Sequence, residues 1–319
     1  NRPFFFFFTD LFSKGNLLYS RRICQTPDFN PALSNDEYIE EYPAAINLLN
    51  AMKISGRNKD GLGIGFLNAV TEKTTATAIN SNDNSSRAVT VSPLTNYNVT
   101  VFDQRFNQNS SVTFINTNVT RNGSFRDANV TGLLFDLNNK TNKYNVSGGL
   151  KSSSIHDVKN TNGINASLDL AETSGKFRYS IGGEYISKDF DNNDLGINFK
   201  TNYYSMYSNV NYRILNPNKV FNTFRISLGS YFEFYKPTNQ VQSSNFNINL
   251  NSTNKKNHYF GGGLNVNPFE NYDYYEPRVE NRYFVNPKNA GGYFYFSSNY
   301  NNKFAIDLNP YITHVLNEN

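Results

Sequence analysis

A chain of 319 residues with 38% hydrophobic side chains, 27 Phe, 22 Tyr, 2 Met and no Trp carries far more aromatic surface than a modest apolar core explains. Charged residues make up 18%, and a formal net charge of +4 spread over scattered Lys and Arg excludes a nucleic-acid binder, which needs a clustered basic patch. A single cysteine, Cys24, excludes a disulfide framework and a cysteine metal cluster, and no run of about 18 apolar residues offers a transmembrane helix.

In chain order, residues 1–45 read as an entry segment, in which Asn16 to Ile23 offers a first strand. No signal peptide opens the chain, so Asn1 is not expected to be a native start. From about residue 44 apolar and polar residues alternate with period two over lengths of about ten, which is the signature of strands. The alternation predicts strands at 46–56, 61–78, 94–106, 110–121, 126–137, 142–153, 162–172, 176–190, 202–215, 222–236, 242–254, 257–267, 291–299 and 302–316.

The clearest case sets Phe224, Ile226, Leu228, Phe232 and Phe234 against Arg225, Ser227, Gly229, Tyr231 and Glu233. Ile164, Ala166, Leu168 and Leu170 oppose Asn165, Ser167 and Asp169, while Phe304, Ile306 and Leu308 oppose Ala305, Asp307 and Asn309. One face suits lipid and the other suits water. No stretch between these runs reads as an amphipathic helix, so the fold class is all-β, a sandwich or a barrel.

Loop parity separates the two. Joins after odd-numbered strands are mostly short, as at 58–61, 107–109, 138–141 and 173–175, whereas joins after even-numbered ones are long at 79–93, 154–161, 191–201 and 268–290. Short turns on one rim and long loops on the other are the plan of an antiparallel outer-membrane β-barrel, with the long loops extracellular. The short join at 122–125 and the uncertain break at 255–256 weaken that parity without reversing it. A sandwich would also alternate, but its inner face is mostly aliphatic, whereas here Asn, Lys, Arg, Asp and Glu occupy it. Fourteen or fifteen strands that end without an obvious closing strand suggest a fragment of a larger barrel, spanning residues 46–319 here. The expected location is the bacterial outer membrane, with membrane lipid and lipopolysaccharide as immediate partners.

The segments Arg2 to Phe5 (RPFF), Thr9 to Ile23 (TDLFSKGNLLYSRRI), Leu48 to Thr71, Ser92 to Phe106, Asn116 to Gly132 and Phe190 to Gly196 (FDNNDLG) together resemble a family of Bacteroidota outer-membrane proteins. In that family a domain like carbohydrate-binding-module family nine precedes a large barrel of unknown function. The resemblance spans roughly residues 2–200 and thins beyond to Glu276 to Arg278. It implies a β-sandwich ahead of Asn1 and further strands after Asn319, and no catalytic residues. Phe4 to Phe8 depart from the pattern. Five phenylalanines in a row do not alternate, so they read as a plug-like segment buried on both faces, unless that stretch of sequence is unreliable.

Candidate chemistry is sparse. His156, close to Ser152 to Ser154, offers the best Ser–His pair for an outer-membrane hydrolase, though a solvated loop histidine explains it more simply. His258 and His314 read as rim residues, and three histidines so far apart have no metal-ligand spacing. Asp189, Asp191 and Asp194, or Glu270 and Asp273, suggest loop Ca²⁺ sites, against the plainer reading of Asp- and Asn-rich turns. No cofactor is expected. Gly261 to Gly263 are not a phosphate loop, because no helix follows.

Tyr272, Tyr274 and Tyr275 with Glu276 and Arg278 form the one aromatic cluster placed to recognise a sugar or a partner protein, or to fold back into the lumen. The leading reading is a non-enzymatic barrel acting as a scaffold or translocation component with other outer-membrane proteins or lipoproteins in an envelope complex. The others are a pore or receptor for glycans and small solutes, and a hydrolase.

Overall fold

The computed structural model describes residues 11–279 and 281–316, so Arg2 to Phe5 and Phe4 to Phe8 lie outside the described residues. In chain order the strands are β1 (Glu37–Ile39), β2 (Leu48–Arg57), β3 (Leu62–Thr71), β4 (Thr74–Asn80), β5 (Ser86–Ser92), β6 (Thr95–Phe106), β7 (Ser110–Arg121), β8 (Asp127–Asn138), β9 (Tyr144–His156) and β10 (Thr161–Glu172). They continue as β11 (Phe177–Ile186), β12 (Tyr203–Arg213), β13 (Phe221–Tyr235), β14 (Gln240–Asn254), β15 (Tyr259–Asn267), β16 (Asn271–Asp273), β17 (Phe284–Asn286), β18 (Asn289–Ser297), β19 (Asp307–Leu308) and β20 (Tyr311–Val315). The fold is all-β, and the registered strand pairs are antiparallel.

Two compact units share these strands. Unit 1 runs through Phe135 and adds Gly149–Asn165 and Asp189–Phe199; unit 2 comprises Asp136–Gly148, Ala166–Lys188 and the chain from Lys200 onward. In unit 1 the sheet order begins β2-β3-β6-β7-β8, and a separate small sheet has the order β1-β4-β5. In unit 2 the order is β11-β12-β13-β14-β15-β18, with β19 and β20 both on β18, and β16 pairs with β17. The strands β8, β9 and β10 contribute residues to both units. Among the described residues no strand pairing closes the order from β2 to β19 into a barrel.

Several sequence expectations shift. The strand expected over 61–78 breaks at Glu72 and Lys73, and its second half, β4, leaves the main sheet to pair with β5 and β1. The long join at 79–93 is therefore mostly hairpin. Asn16 to Ile23 is not a strand. Gly15 at φ +68° and Asn16 at φ +55° bend the chain within a first 3-10 turn, Lys14–Asn16, and a second, Ser20–Arg22, follows. The strand expected over 302–316 shrinks to β19 and β20: 302–306, with Phe304 and Ile306, form no strand, and Pro310, which has no N–H to continue a ladder, lies between the two short pieces.

The two faces of the unit 1 sheet differ. On the covered face lie Gly63, Gly65, Leu67, Ala69 and Thr71 of β3, Val99 and Val101 of β6, Ile115 and Val119 of β7, and Ala128 and Val130 of β8, all buried. The chain's own segment 11–24 packs on this face at Gly63, Gly65 and Gly132, and its Leu11, Phe12, Leu17, Leu18 and Ile23 are buried as well. A side chain at Gly63 would meet Leu11, and one at Gly65 would meet the Phe12 ring, so these glycines are notches that the segment fills. Each fully buried side chain of this kind contributes about 1.5–3 kcal/mol. The open face carries Ile64, Phe102 and Phe114 as lateral neighbours, all exposed, with the two phenylalanine rings 6.4 Å apart.

In unit 2 the registers align Tyr179 with Val210, Val210 with Leu228, Leu228 with Ile248, Ile248 with Leu264, Leu264 with Gly292 and Gly292 with Ile312. Leu228 is 51% exposed and Leu264 58%, so this lateral row lies open. The opposite face is a polar lattice. Asn249 donates to Asn247 at 3.0 Å, Asn247 to Asn245 at 3.1 Å, Asn245 to Asn267 at 3.0 Å, and Asn267 to Asn289 at 2.9 Å. Tyr293 and Tyr295 of β18 each face a glycine across the ladder, Gly263 and Gly261, and lie over it. Their hydroxyls reach Asn249 (2.7 Å) and Asn251 (2.5 Å) one strand further, so each tyrosine clasps three strands.

Candidate functional site

Unit 1 contains a cavity of about 540 Å³ whose lining includes Arg22, Arg121, Arg126, Asp191, Asp194 and Phe125. Arg121 ends β7 and Arg126 immediately precedes β8. The short join between them is fixed by Gly123 at φ +99° and by Arg121, whose backbone N–H donates to Asp127 Oδ1 at 2.7 Å and whose guanidinium donates to the Arg126 carbonyl at 2.6 Å. The two arginines hold the segment 189–199. Arg121 reaches Asp194 Oδ1 at 2.7 Å, while Arg126 reaches Asp194 Oδ2 at 2.6 Å and Asp191 Oδ2 at 2.7 Å.

Three further contacts fix that segment. The Asp191 N–H donates to Ser153 Oγ at 3.0 Å, Phe190 is buried against the backbone at Gly163, and Asn193 N–H donates to Asp191 Oδ1 at 2.9 Å. Burial opposes the charge on Asp191, but the Asn193 N–H and the Arg126 guanidinium outweigh it and hold the carboxyl below its ordinary range. The same two carboxylates raise the affinity of Arg126 for its proton against the opposing effect of burial. The chemistry of this floor is neutralised charge. Toward the mouth, Phe29 packs edge-on against Phe125 with centroids 4.8 Å apart, beside the exposed carboxylates Asp28 and Asp157.

The structure redistributes the residues singled out in the sequence. Asp191 and Asp194 face arginines, and Asp189 is exposed. Glu270 accepts the Tyr272 hydroxyl at 2.9 Å, and Asp273 Oδ1 accepts the backbone N–H groups of Tyr275 (2.8 Å) and Glu276 (3.1 Å). Among the described residues no group of three or more His, Cys, Asp or Glu is placed to hold a metal ion. Ser153 is fully buried on the covered face, whereas by strand alternation Ser152 and Ser154 share the opposite face with His156, which is exposed at the end of β9. His258 Nδ1 accepts the Asn299 N–H at 3.0 Å, and His314 is exposed on β20.

The aromatic loop of unit 2 folds back. Tyr274 stacks on Tyr235 at the end of β13, with centroids 4.0 Å and planes 14° apart, and bonds the Gln240 side chain. Tyr275 bonds the Thr201 carbonyl and lies 5.4 Å beneath the Lys200 ammonium. Burial pushes its hydroxyl up to about 12. Tyr272 meets Tyr283 edge-on at 5.2 Å, and only Glu276 and Arg278 of the expected cluster are exposed. Tyr272, Tyr274 and Tyr275 are engaged with their own unit.

Sequence reasoning missed the Arg121–Arg126–Asp191–Asp194 network, because its members lie up to 73 residues apart. A signal existed. Four of the six segments that carry the family resemblance, those containing Arg22, Tyr97, Arg126 and Asp191, meet at this cavity. Neither the curated proteins nor the solved structures contain a match to the chain. A family profile matches residues 1–319 from end to end, and by that match the chain belongs to the domain-of-unknown-function family DUF5916.

Proposed function

We propose that this chain is the wall of an outer-membrane β-barrel, a non-enzymatic scaffold or translocation component that works with other envelope proteins. The observation that carries this reading is the lateral alignment of exposed apolar side chains. The exposed Tyr179, Leu228, Ile248, Leu264 and Ile312, with a half-buried Val210 between the first two, run across unit 2, and Ile64, Phe102 and Phe114 run across unit 1. Water penalises contiguous apolar surface of this extent, and soluble monomers rarely show patches above a few hundred Å². On β13 the apolar face runs from Phe224 to Phe234, which spans about 33 Å along the strand. A strand tilted by about 45° projects that length to roughly 24 Å, matching the apolar band of an outer-membrane barrel.

The polar lattice on the other face of unit 2 supports the same reading, since a barrel wall needs one face for lipid and one for water. The likeness of the segments quoted above to Bacteroidota outer-membrane proteins is consistent with it. That lattice, rich in Asn and Tyr, is also the one observation that favours a second reading, a pore or receptor for glycans.

The test is expression of the full protein followed by flotation of membranes through a sucrose gradient and affinity purification in detergent. Co-flotation with outer-membrane vesicles, resistant to carbonate and urea, is expected, with partner proteins at fixed stoichiometry. Recovery in the soluble fraction overturns the barrel. Recovery as a lone floated protein overturns the scaffold role and leaves the pore.

A further inference from the structure

We infer that residues 11–24 form a plug, a separable insert in unit 1 that keeps the barrel from conducting, and not a part of its wall. The inference rests on the barrel reading above. Four observations carry it.

The segment is not a strand of the sheet; it folds as two 3-10 turns against the covered face. Its apolar side chains fit the wall feature by feature. Leu11 occupies the space at Gly63, Phe12 that at Gly65, and Leu17, with no exposed surface, that at Gly132. Its polar fastenings include Lys14, which reaches Ser111 Oγ at 3.4 Å and Asp103 at 3.7 Å, the Tyr19 N–H, which donates to the Leu195 carbonyl at 2.5 Å, and Arg22 Nε, which donates to the Gly196 carbonyl at 3.2 Å, while the Lys53 ammonium lies 5.0 Å from the Phe12 ring centroid.

The fourth observation is that the wall does not depend on the segment for its charges. Asp103 is fully buried, yet Arg57 and Thr113, both from the sheet, already pair its carboxylate. Lys14 adds to a charge that is satisfied without it. Segment 189–199, which supplies Leu195 and Gly196, is likewise fastened to the wall by Arg121, Arg126 and Ser153. Among the described residues, withdrawing 11–24 strands no buried ion. It uncovers the apolar side chains of the covered face, which holds the plug shut at rest.

The experiment uses the full protein reconstituted into lipid bilayers, with two variants that loosen the segment from opposite sides. Leu17→Asp places a charge on the segment, and Gly65→Val fills the notch that takes Phe12. Cys24, partly buried at the end of the segment and the only cysteine, serves as a native reporter of its release. The expected result is no conductance from the unaltered protein, discrete conductance steps from either variant, and maleimide labelling of Cys24 at least tenfold faster, with membrane flotation unchanged.

Conductance of the unaltered protein equal to that of the variants overturns the plug. So does faster Cys24 labelling without conductance, because the segment then leaves and seals nothing. Loss of flotation in both variants makes 11–24 part of the wall. Failure of the unaltered protein to float sinks the barrel reading instead, and is distinguishable from all three.

Discussion

Units 1 and 2 present the same kind of open face and solve the opposite face differently. In unit 1 the glycines of β3 are notches filled by side chains of a distant segment, and the surrounding residues are aliphatic. In unit 2 Gly261 and Gly263 are seats for tyrosines of the neighbouring strand, and the surroundings are asparagines bonded to one another. A bare patch on a strand can be covered from outside the sheet or from within it. Covering from outside produces the insert proposed above to leave; covering from within produces cross-strand clasps that can only stiffen the sheet.

The largest expected effect that separates the two units is at Asp103. Replacing it with Ala leaves Arg57 facing a buried space with only carbonyls to bond, and is expected to cost about 3 kcal/mol. The measurement is the midpoint of urea unfolding in detergent micelles followed by tyrosine emission, since the chain has no tryptophan. A loss no larger than that of Lys14→Ala contradicts the claim that the sheet holds this charge by itself.

Next comes a paired test of the glycines. A Cβ at Gly261 would lie 2.3 Å from the Leu250 carbonyl oxygen, a backbone atom that cannot yield without disturbing the ladder. At Gly65 it would lie 3.0 Å from the far end of the Phe12 ring, which has room to move with its segment. Gly261→Ala is therefore expected to cost about 2 kcal/mol and Gly65→Ala about half that or less. Equal losses in the same unfolding measurement erase the distinction between seat and notch. The smaller Tyr295→Phe change removes bonds to Asn251 and to the Tyr259 hydroxyl, and about 1 kcal/mol is expected. No loss means the ring alone does the clasping.

Alternation made most of the sheet legible. The expected strand at 110–121 coincides with β7, and those at 94–106, 162–172 and 257–267 differ from β6, β10 and β15 by one or two residues. Period two survives wherever one face differs chemically from the other. It failed at 61–78, because alternation does not report which sheet a strand joins, and β4 alternates as well as β3 while leaving for a different partner. It failed at Asn16 to Ile23 for the reverse reason: a segment that buries several side chains against a sheet needs apolar residues but no ladder.

The site was less readable. Asp191 and Asp194 read in the sequence as acidic turn residues, but their partners Arg121 and Arg126 flank a join whose only sequence feature is its shortness. Ion pairs across 65 to 73 residues leave no local pattern. Tyr274 and Tyr275 showed the converse, since aromatic residues in a long loop look exposed until the strand end they stack on is known.

The smallest effect concerns the separate β1-β4-β5 sheet of unit 1, which stands on its own core of Ala76, Ala78, Val89 and Val91. Its edge strand β1 is fastened by Glu37, which takes both a 2.6 Å and a 2.7 Å bond from Arg87. The Arg87 guanidinium, and after it the Ser34 backbone N–H, bring the Glu37 carboxyl down to about 2. A folded value below the ordinary one means that the contribution is fully present above the ordinary carboxylate range and is lost as pH falls through about 2. Between pH 4.5 and about 2, the β1 amides that pair with Asn80 and Ala78 are therefore expected to exchange progressively faster, while the β13 and β14 amides keep their protection. Glu37→Gln is expected to flatten the pH dependence, and added salt to weaken it, because the pair lies near water. A variant with the same acid profile as the unaltered protein transfers the effect to other carboxylates and leaves β1 held by its backbone pairing alone.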